Sequence, residues 1–252
     1  AMDRVLALAA ETGAERVLAN DPDADRLAAA VPDPGGRAFR MLSGNEIGAL
    51  LADDALEHSR VDGRRPLVVS TVVSSSLVSR MARDRGAVYR ETLTGFKWIA
   101  DAALRGEREG LAFVFGYEEA LGFTVGRLVR DKDGIGAAVR LAELARYLKT
   151  GGLTLLDRLE ELMVAHGLSH QVQWSAVLPG AEGRARIDAA MAALRASPPA
   201  RIGASPVVRV LDALAGEEVV RGERRPSGLP VSDVLQLQSE DGSRLTVRPS
   251  GT

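Results

Sequence analysis

Apolar positions recur with a helical period over residues 2–11, and short apolar runs alternate with amphipathic segments over most of the remaining chain. That alternation predicts an α/β chain with mostly parallel strand pairing. Residues 16–19 read as a strand broken by Asn20-Asp21-Pro22, and 27–31 as a second strand. The run PDPGGR at 32–37 is dense in turn residues and marks a domain boundary or a hairpin. Ser43-Gly44-Asn45-Glu46 sets a hydroxyl at an N-cap and a carboxylate three residues on, a capping box for a helix over 47–56.

A βαβα series follows: strand 66–73, helix 77–85, strand 87–91, helix 96–105, strand 111–115 and helix 135–148. After Gly151-Gly152 one more amphipathic helix covers 155–165. From Ser169 the pattern changes to a strand at 172–177, a helix at 187–195 and short strands at 207–211, 234–238 and 245–247. The expected organisation is a partial domain over 1–40, a domain over 41–167 and a smaller α+β domain over 168–252, with no internal repeat.

Composition narrows the function classes. Of 252 residues 46% are apolar and 26% charged, and 32 Lys+Arg against 34 Asp+Glu leave a formal charge of -2, an ordinary globular balance. Without a Lys/Arg block, nucleic acid is not an expected partner. Zero cysteines exclude disulfides, thiol nucleophiles and Cys-ligated metals. Three histidines, His58, His166 and His170, leave little for a His-rich site. No apolar run reaches the roughly 18 residues of a membrane span and no signal pattern opens the chain, so no membrane partner is expected and the cytoplasm is the expected location. The Ala ahead of Met2 has the look of a tag remnant.

Four segments carry candidate chemistry. In Asp21-Pro22-Asp23-Ala24-Asp25-Arg26 three carboxylates at alternate positions can converge on one hard cation, and three oxygens with open positions suit Mg²⁺. An EF-hand does not fit, since its sixth and twelfth positions would be Arg26 and Pro32. An Asp/Pro turn that needs no ion, or the Asp-x-Asp of a phosphatase with an Asp nucleophile, remain open readings. Phe115 to Phe123 runs a strand into Glu118-Glu119 flanked by glycines, where acceptors can grip hydroxyls, although a solvated carboxylate pair also accounts for it. Arg127, Arg130 and Lys132 precede a helix start and form a candidate anion site, with surface salt bridging as the alternative. Arg248-Pro249-Ser250-Gly251-Thr252 reads as a phosphate cradle or a frayed end.

In this order the segments resemble the α-D-phosphohexomutase superfamily, the phosphoglucomutases and phosphomannomutases, and most of all the phosphoglucomutase/phosphopentomutase branch. DPDADR, GYEEALGF and RPSGT look like its metal, sugar-binding and phosphate-binding loops, with TLTGFKWIA (92–100) and RDKDG matching the third domain, so the resemblance spans about residue 16 to Thr252. It implies mixed and parallel sheet domains followed by a smaller α+β domain. It also implies a mutase that interconverts sugar 1- and 6-phosphates, or pentose 1- and 5-phosphates, through a phosphoserine and a bisphosphate.

Under the resemblance Asp21, Asp23 and Asp25 would ligate Mg²⁺, and Arg26 would lie near the transferred phosphoryl group with a catalytic role. Gly95, Lys97, Glu118 and Glu119 would face the sugar, and Arg130 and Lys132 would contact substrate or its phosphate, Lys132 with a catalytic role. Arg248, Ser250, Gly251 and Thr252 would hold the phosphate that is not reacting. A sugar 1,6-bisphosphate is the implied activator and a phosphosugar the implied partner, with a homodimer left open.

Two departures stand out. Where many relatives carry Ser and His after the sugar-binding Glu, this chain has Ala120 and Gly122. No Ser-His-Asn-Pro segment of the phosphoserine loop is present, and Ser74-Ser75-Ser76, followed by Leu77, reads as a helix cap. The chain therefore reads as a fragment that is inactive alone, or as a non-catalytic sugar-phosphate binding module.

Overall fold

The apolar run Pro66–Thr71 forms strand β4, buried along almost its whole length because sheet neighbours flank it and helices cover both faces. The computed structural model describes residues 2–35, 38–59 and 61–249. The chain divides into two units, Ala1–Gln171 and Val172–Thr252. In the first unit β4 lies between β5 (Val88–Thr92) and β6 (Ala112–Glu118), parallel to both, and β7 (Gly122–Val125) pairs antiparallel with β6.

The period-2 alternation of β4 sorts its side chains between two cores. Leu67 and Val69 pack with Phe96, Ile99 and Ala103 of α4 (Phe96–Arg108). Val68 faces a larger core built with α2 (Gly44–His58), α3 (Leu77–Asp84), α5 (Gly134–Thr150) and α6 (Leu155–His166). A register irregularity beside Leu67/Val68 places Phe115 opposite Val68. Val114 and Phe115 therefore both reach the larger core.

Before these elements come α1 (Asp3–Thr12) and an antiparallel meander of β1 (Val17–Asn20), β2 (Leu27–Pro32) and β3 (Phe39–Leu42). One face of the meander packs Val17 and Ala30 on Ala9 of α1; the other sends Leu27, Ala29, Val31 and Leu42 into the larger core. The turn-rich run after β2 is thus a hairpin connection, and the meander shares a continuous core with the four-stranded sheet.

The predicted capping box is present: Glu46 N–H donates to Ser43 Oγ at 3.2 Å, and Ser43 N–H donates to Glu46 Oε2 at 2.8 Å. Further along α2, Asp53 is buried between Arg85 and Arg158, whose Nε donates to it at 2.8 Å. Asp54 is likewise buried and paired with Arg140.

In the second unit β9 (Ser205–Asp212) lies between β10 (Glu217–Val220) and β12 (Leu235–Ser239). The outer strands are β11 (Glu223–Pro226) and β13 (Arg244–Val247), and β8 (Arg201–Ile202) also pairs with β9. All these pairings are antiparallel, and Met191 of α7 (Gly180–Ala196) packs on Leu235 and Leu237.

Several expectations need correction. Parallel pairing is confined to the four-stranded sheet among the described residues, because only there do helical crossovers link the strands. Residues 172–177 form no strand: Val172, Trp174 and Val177 are exposed, and alternation alone makes no strand without a hydrogen-bonded neighbour. The helix expected at 187–195 begins earlier, at Gly180. Strands β3, β7, β8, β10 and β11 are additions, each two to four residues long. Ser76 occupies the N-cap of α3 without a side-chain capping bond; Leu77 N–H donates instead to Ser75 Oγ at 3.1 Å.

Candidate functional site

The acidic loop is the tip of the β1–β2 hairpin. One backbone and one side-chain bond close it: Ala24 N–H donates to Asp21 O and Arg26 N–H to Asp21 Oδ1, both at 3.0 Å, with Ala24 in the left-handed region at φ 59°. Asn20 Nδ2 donates to Arg26 O at 2.6 Å. So folded, Asp21, Asp23 and Asp25 each offer an oxygen within 4.8 Å of the others. The Arg26 N–H bond holds the Asp21 carboxyl below the usual aspartate range.

Asp25 serves two sides. Its Oδ2 accepts from Lys132 Nζ at 3.0 Å, while its Oδ1 is buried with no hydrogen-bond partner among the described residues. The Arg26 Nε lies 3.9 Å from Asp25 Oδ1 and 4.0 Å from Asp21 Oδ2, charge compensation without a hydrogen bond. An orphaned buried carboxylate oxygen inside an all-oxygen donor set fits a hard divalent cation.

The loop docks on two glycines. A Cβ at Gly134, the first residue of α5, would lie 2.4 Å from Arg26 O and 2.8 Å from Ala24 O, so the backbones meet directly. Arg26 bridges Gly122, and Leu27 N–H donates to Leu121 O at 3.1 Å. A Cβ at Gly122 would meet Lys132 Cδ at 2.7 Å, which lets the lysine stem run across β7 toward Asp25.

Around that stem stand the other predicted residues. Glu118 ends β6 with its side chain buried, and Gly95 N–H, at the N-cap of α4, donates to its Oε1 at 2.5 Å. Burial pushes the Glu118 carboxyl up; the Gly95 bond offsets part of this and the adjacent Glu119 charge adds to it. Lys132 Nζ sits 5.7 Å from the Phe96 ring centroid. Burial disfavours its ammonium, but Asp25 and Asp131 outweigh that and hold its pKa above the usual lysine value. These loops follow the C-terminal ends of β5 and β6, the edge where open α/β sheets place ligands.

Within the first unit, not every expected residue joins them. The Glu119 carboxylate lies against Thr71 Oγ1 (3.1 Å) and Ser74 Oγ (3.2 Å) at the end of β4. Arg130 pairs in a bidentate contact with Glu107 of α4 at 3.1 and 2.9 Å. Lys97 is exposed, 5.1 Å from the Trp98 ring centroid, and Arg248 is exposed in the second unit. Ser250, Gly251 and Thr252 lie outside the described residues.

Thr71 was not singled out in the sequence reading, and Asn45 and Ser74 entered it only within helix-capping segments. Asn45 Oδ1 accepts from Ser75 N–H at 2.8 Å and from Tyr117 Oη at 3.1 Å. The only signal in the sequence was a run of polar residues at the end of an apolar strand.

Residues 43–165 match the family model described as phosphoglucomutase/phosphomannomutase, alpha/beta/alpha domain III. Over its whole length the chain is 38% identical to a protein of Haemophilus influenzae named probable phosphomannomutase and 34% identical to a Staphylococcus aureus phosphoglucomutase. It covers 47% and 45% of them, so it spans about half the length of the curated relatives it matches. Among solved structures, the parafusin phosphoglucomutase of Paramecium aligns with all of this chain and 42% of its own at TM-score 0.64 and 16% identity, a likeness of fold. With these likenesses over the loops described above, the chain belongs to the phosphoglucomutase/phosphomannomutase family of the α-D-phosphohexomutase superfamily.

Proposed function

We propose that this chain supplies the cation-binding and sugar-facing parts of a phosphosugar mutase that interconverts hexose 1- and 6-phosphates or pentose 1- and 5-phosphates. The observation that carries the reading is the convergence of Asp25, Lys132, Glu118 and Gly95 around one lysine stem. Asp21, Asp23 and Asp25 hold Mg²⁺, and Arg26 stands beside them to meet a phosphoryl group. Bound there, the ion supplies neutralisation of charge developing on the transferring phosphoryl group. Glu118 accepts hydrogen bonds from sugar hydroxyls, and Lys132 offers a mobile positive charge between sugar and phosphate. Arg248 with the residues after it grips the distal phosphate, and a sugar 1,6-bisphosphate acts as the intermediate and activator.

The covalent step needs a serine of the Ser-His-Asn-Pro type, which these 252 residues do not contain. On this reading the chain by itself binds and does not turn over. The second reading is a non-catalytic sugar-phosphate binding module. Intact mass before and after incubation with glucose 1,6-bisphosphate and Mg²⁺, alongside binding of the same ligand, tests both. Binding without mass gain is expected here. A gained phosphoryl group would mean that a serine of this chain is the nucleophile, and no binding would overturn the proposal.

A further inference from the structure

Three carboxylates crowd the acidic loop, and among the described residues Lys132 makes the shortest cation contact with them. It is a poorly committed contact. Lys132 also reaches Asp131 at 3.4 Å, its stem crosses Gly122, and an ammonium on four flexible carbons can exchange partners at low cost. A divalent cation entering the cluster takes over the neutralisation of Asp25 and repels the Lys132 charge. Released, the ammonium would stay near Phe96, 5.7 Å from its ring in the structure, and near Glu118, where an anionic sugar would bind.

We propose that Lys132 is an exchangeable counter-ion shared by the acidic loop and the anionic ligand, so that divalent-cation and sugar-phosphate binding reinforce each other through this one side chain. The inference rests on the cation and phosphosugar reading above. It follows by linkage that each ligand raises the affinity of the other by the same factor. It also follows that, with no sugar phosphate present, Lys132 weakens cation binding by competing for Asp25.

The test is calorimetric titration of the 252-residue chain with Mn²⁺, with and without glucose 1,6-bisphosphate, for the wild type and Lys132→Met. Without bisphosphate the variant should bind Mn²⁺ at least about fivefold more tightly, the factor one charge pair carries even in bulk water. Bisphosphate should tighten Mn²⁺ binding in the wild type and do so less in the variant. Equal or weaker Mn²⁺ binding by Lys132→Met would overturn the inference and make Lys132 a residue that orients Asp25. Failure of the wild type to bind Mn²⁺, or binding that survives Asp21→Asn, would instead overturn the cation reading beneath it. Where Lys132→Met does not fold, Lys132→Gln serves the same comparison.

Discussion

The backbone N–H of Gly95 donates to the buried carboxylate of Glu118, so the loop after β5 and the end of β6 are locked together through one oxygen. Under the proposed function, the other oxygen is the one that accepts from sugar hydroxyls. Because burial raises the Glu118 pKa, its contribution to stability is present at low pH and lost as pH rises through the native pKa. Glu118→Gln keeps an acceptor for Gly95 and removes the titration. Its stability relative to wild type should rise between about pH 4 and about pH 8, as urea melts at the two pH values would show, while binding of glucose 1,6-bisphosphate falls.

Glu119 should behave differently from its neighbour. Its carboxylate accepts from two hydroxyls whose residues are fully buried, so Glu119→Ala removes a charged acceptor from Thr71 and Ser74, which keep the bond to each other at 2.8 Å. A cost of about 1–3 kcal/mol is expected, with a smaller loss of sugar-phosphate affinity than Glu118→Gln causes. A larger loss of affinity than that of Glu118→Gln would return Glu119 to the ligand-binding set.

Gly134→Ala should be costly although alanine is the better helix former. The added carbon would meet the Arg26 and Ala24 carbonyl oxygens, backbone atoms that cannot swing away. Overpacking of this kind costs about 1–3 kcal/mol, and the acidic loop should lose Mn²⁺ affinity along with it. A variant with wild-type melting and wild-type Mn²⁺ binding would show that the loop does not depend on this close approach.

Asp53→Ala should destabilise the first unit without touching the site. It leaves Arg85 and Arg158 facing an emptied buried position, a break that costs roughly 3–5 kcal/mol for fully buried pairs. The Arg85 and Arg158 side chains are 28% and 25% exposed, which places the expected loss toward the lower end. Denaturant melts measure it directly, and a change within error would mean that water replaces the pairing.

What was legible in the sequence was local chemistry. Ser43 and Glu46 announce a cap because both partners lie within one turn, and the 66–73 run announces a buried strand by its apolar and β-branched residues, although the strand itself ends at Thr71. The three Asp residues converge as their spacing suggested, because a short hairpin tip fixes them. What stayed hidden depends on tertiary neighbours. Nothing local says that Arg130 pairs with Glu107 or that Glu119 turns toward Thr71. The exposed alternation at 172–177 shows the converse, a strand pattern without a strand.

The bond from Leu27 N–H to Leu121 O also bears on how the protein folds. It joins residues more than ninety positions apart, and contacts of such separation form late because the loop between them must close first. The carboxylates of the acidic loop thus have their final neighbours only once β6, β7 and the first turn of α5 are in place. The convergence of the three carboxylates is local to the hairpin, but a folding chain brings Lys132 and Gly134 against them only when β7 and α5 close onto β2.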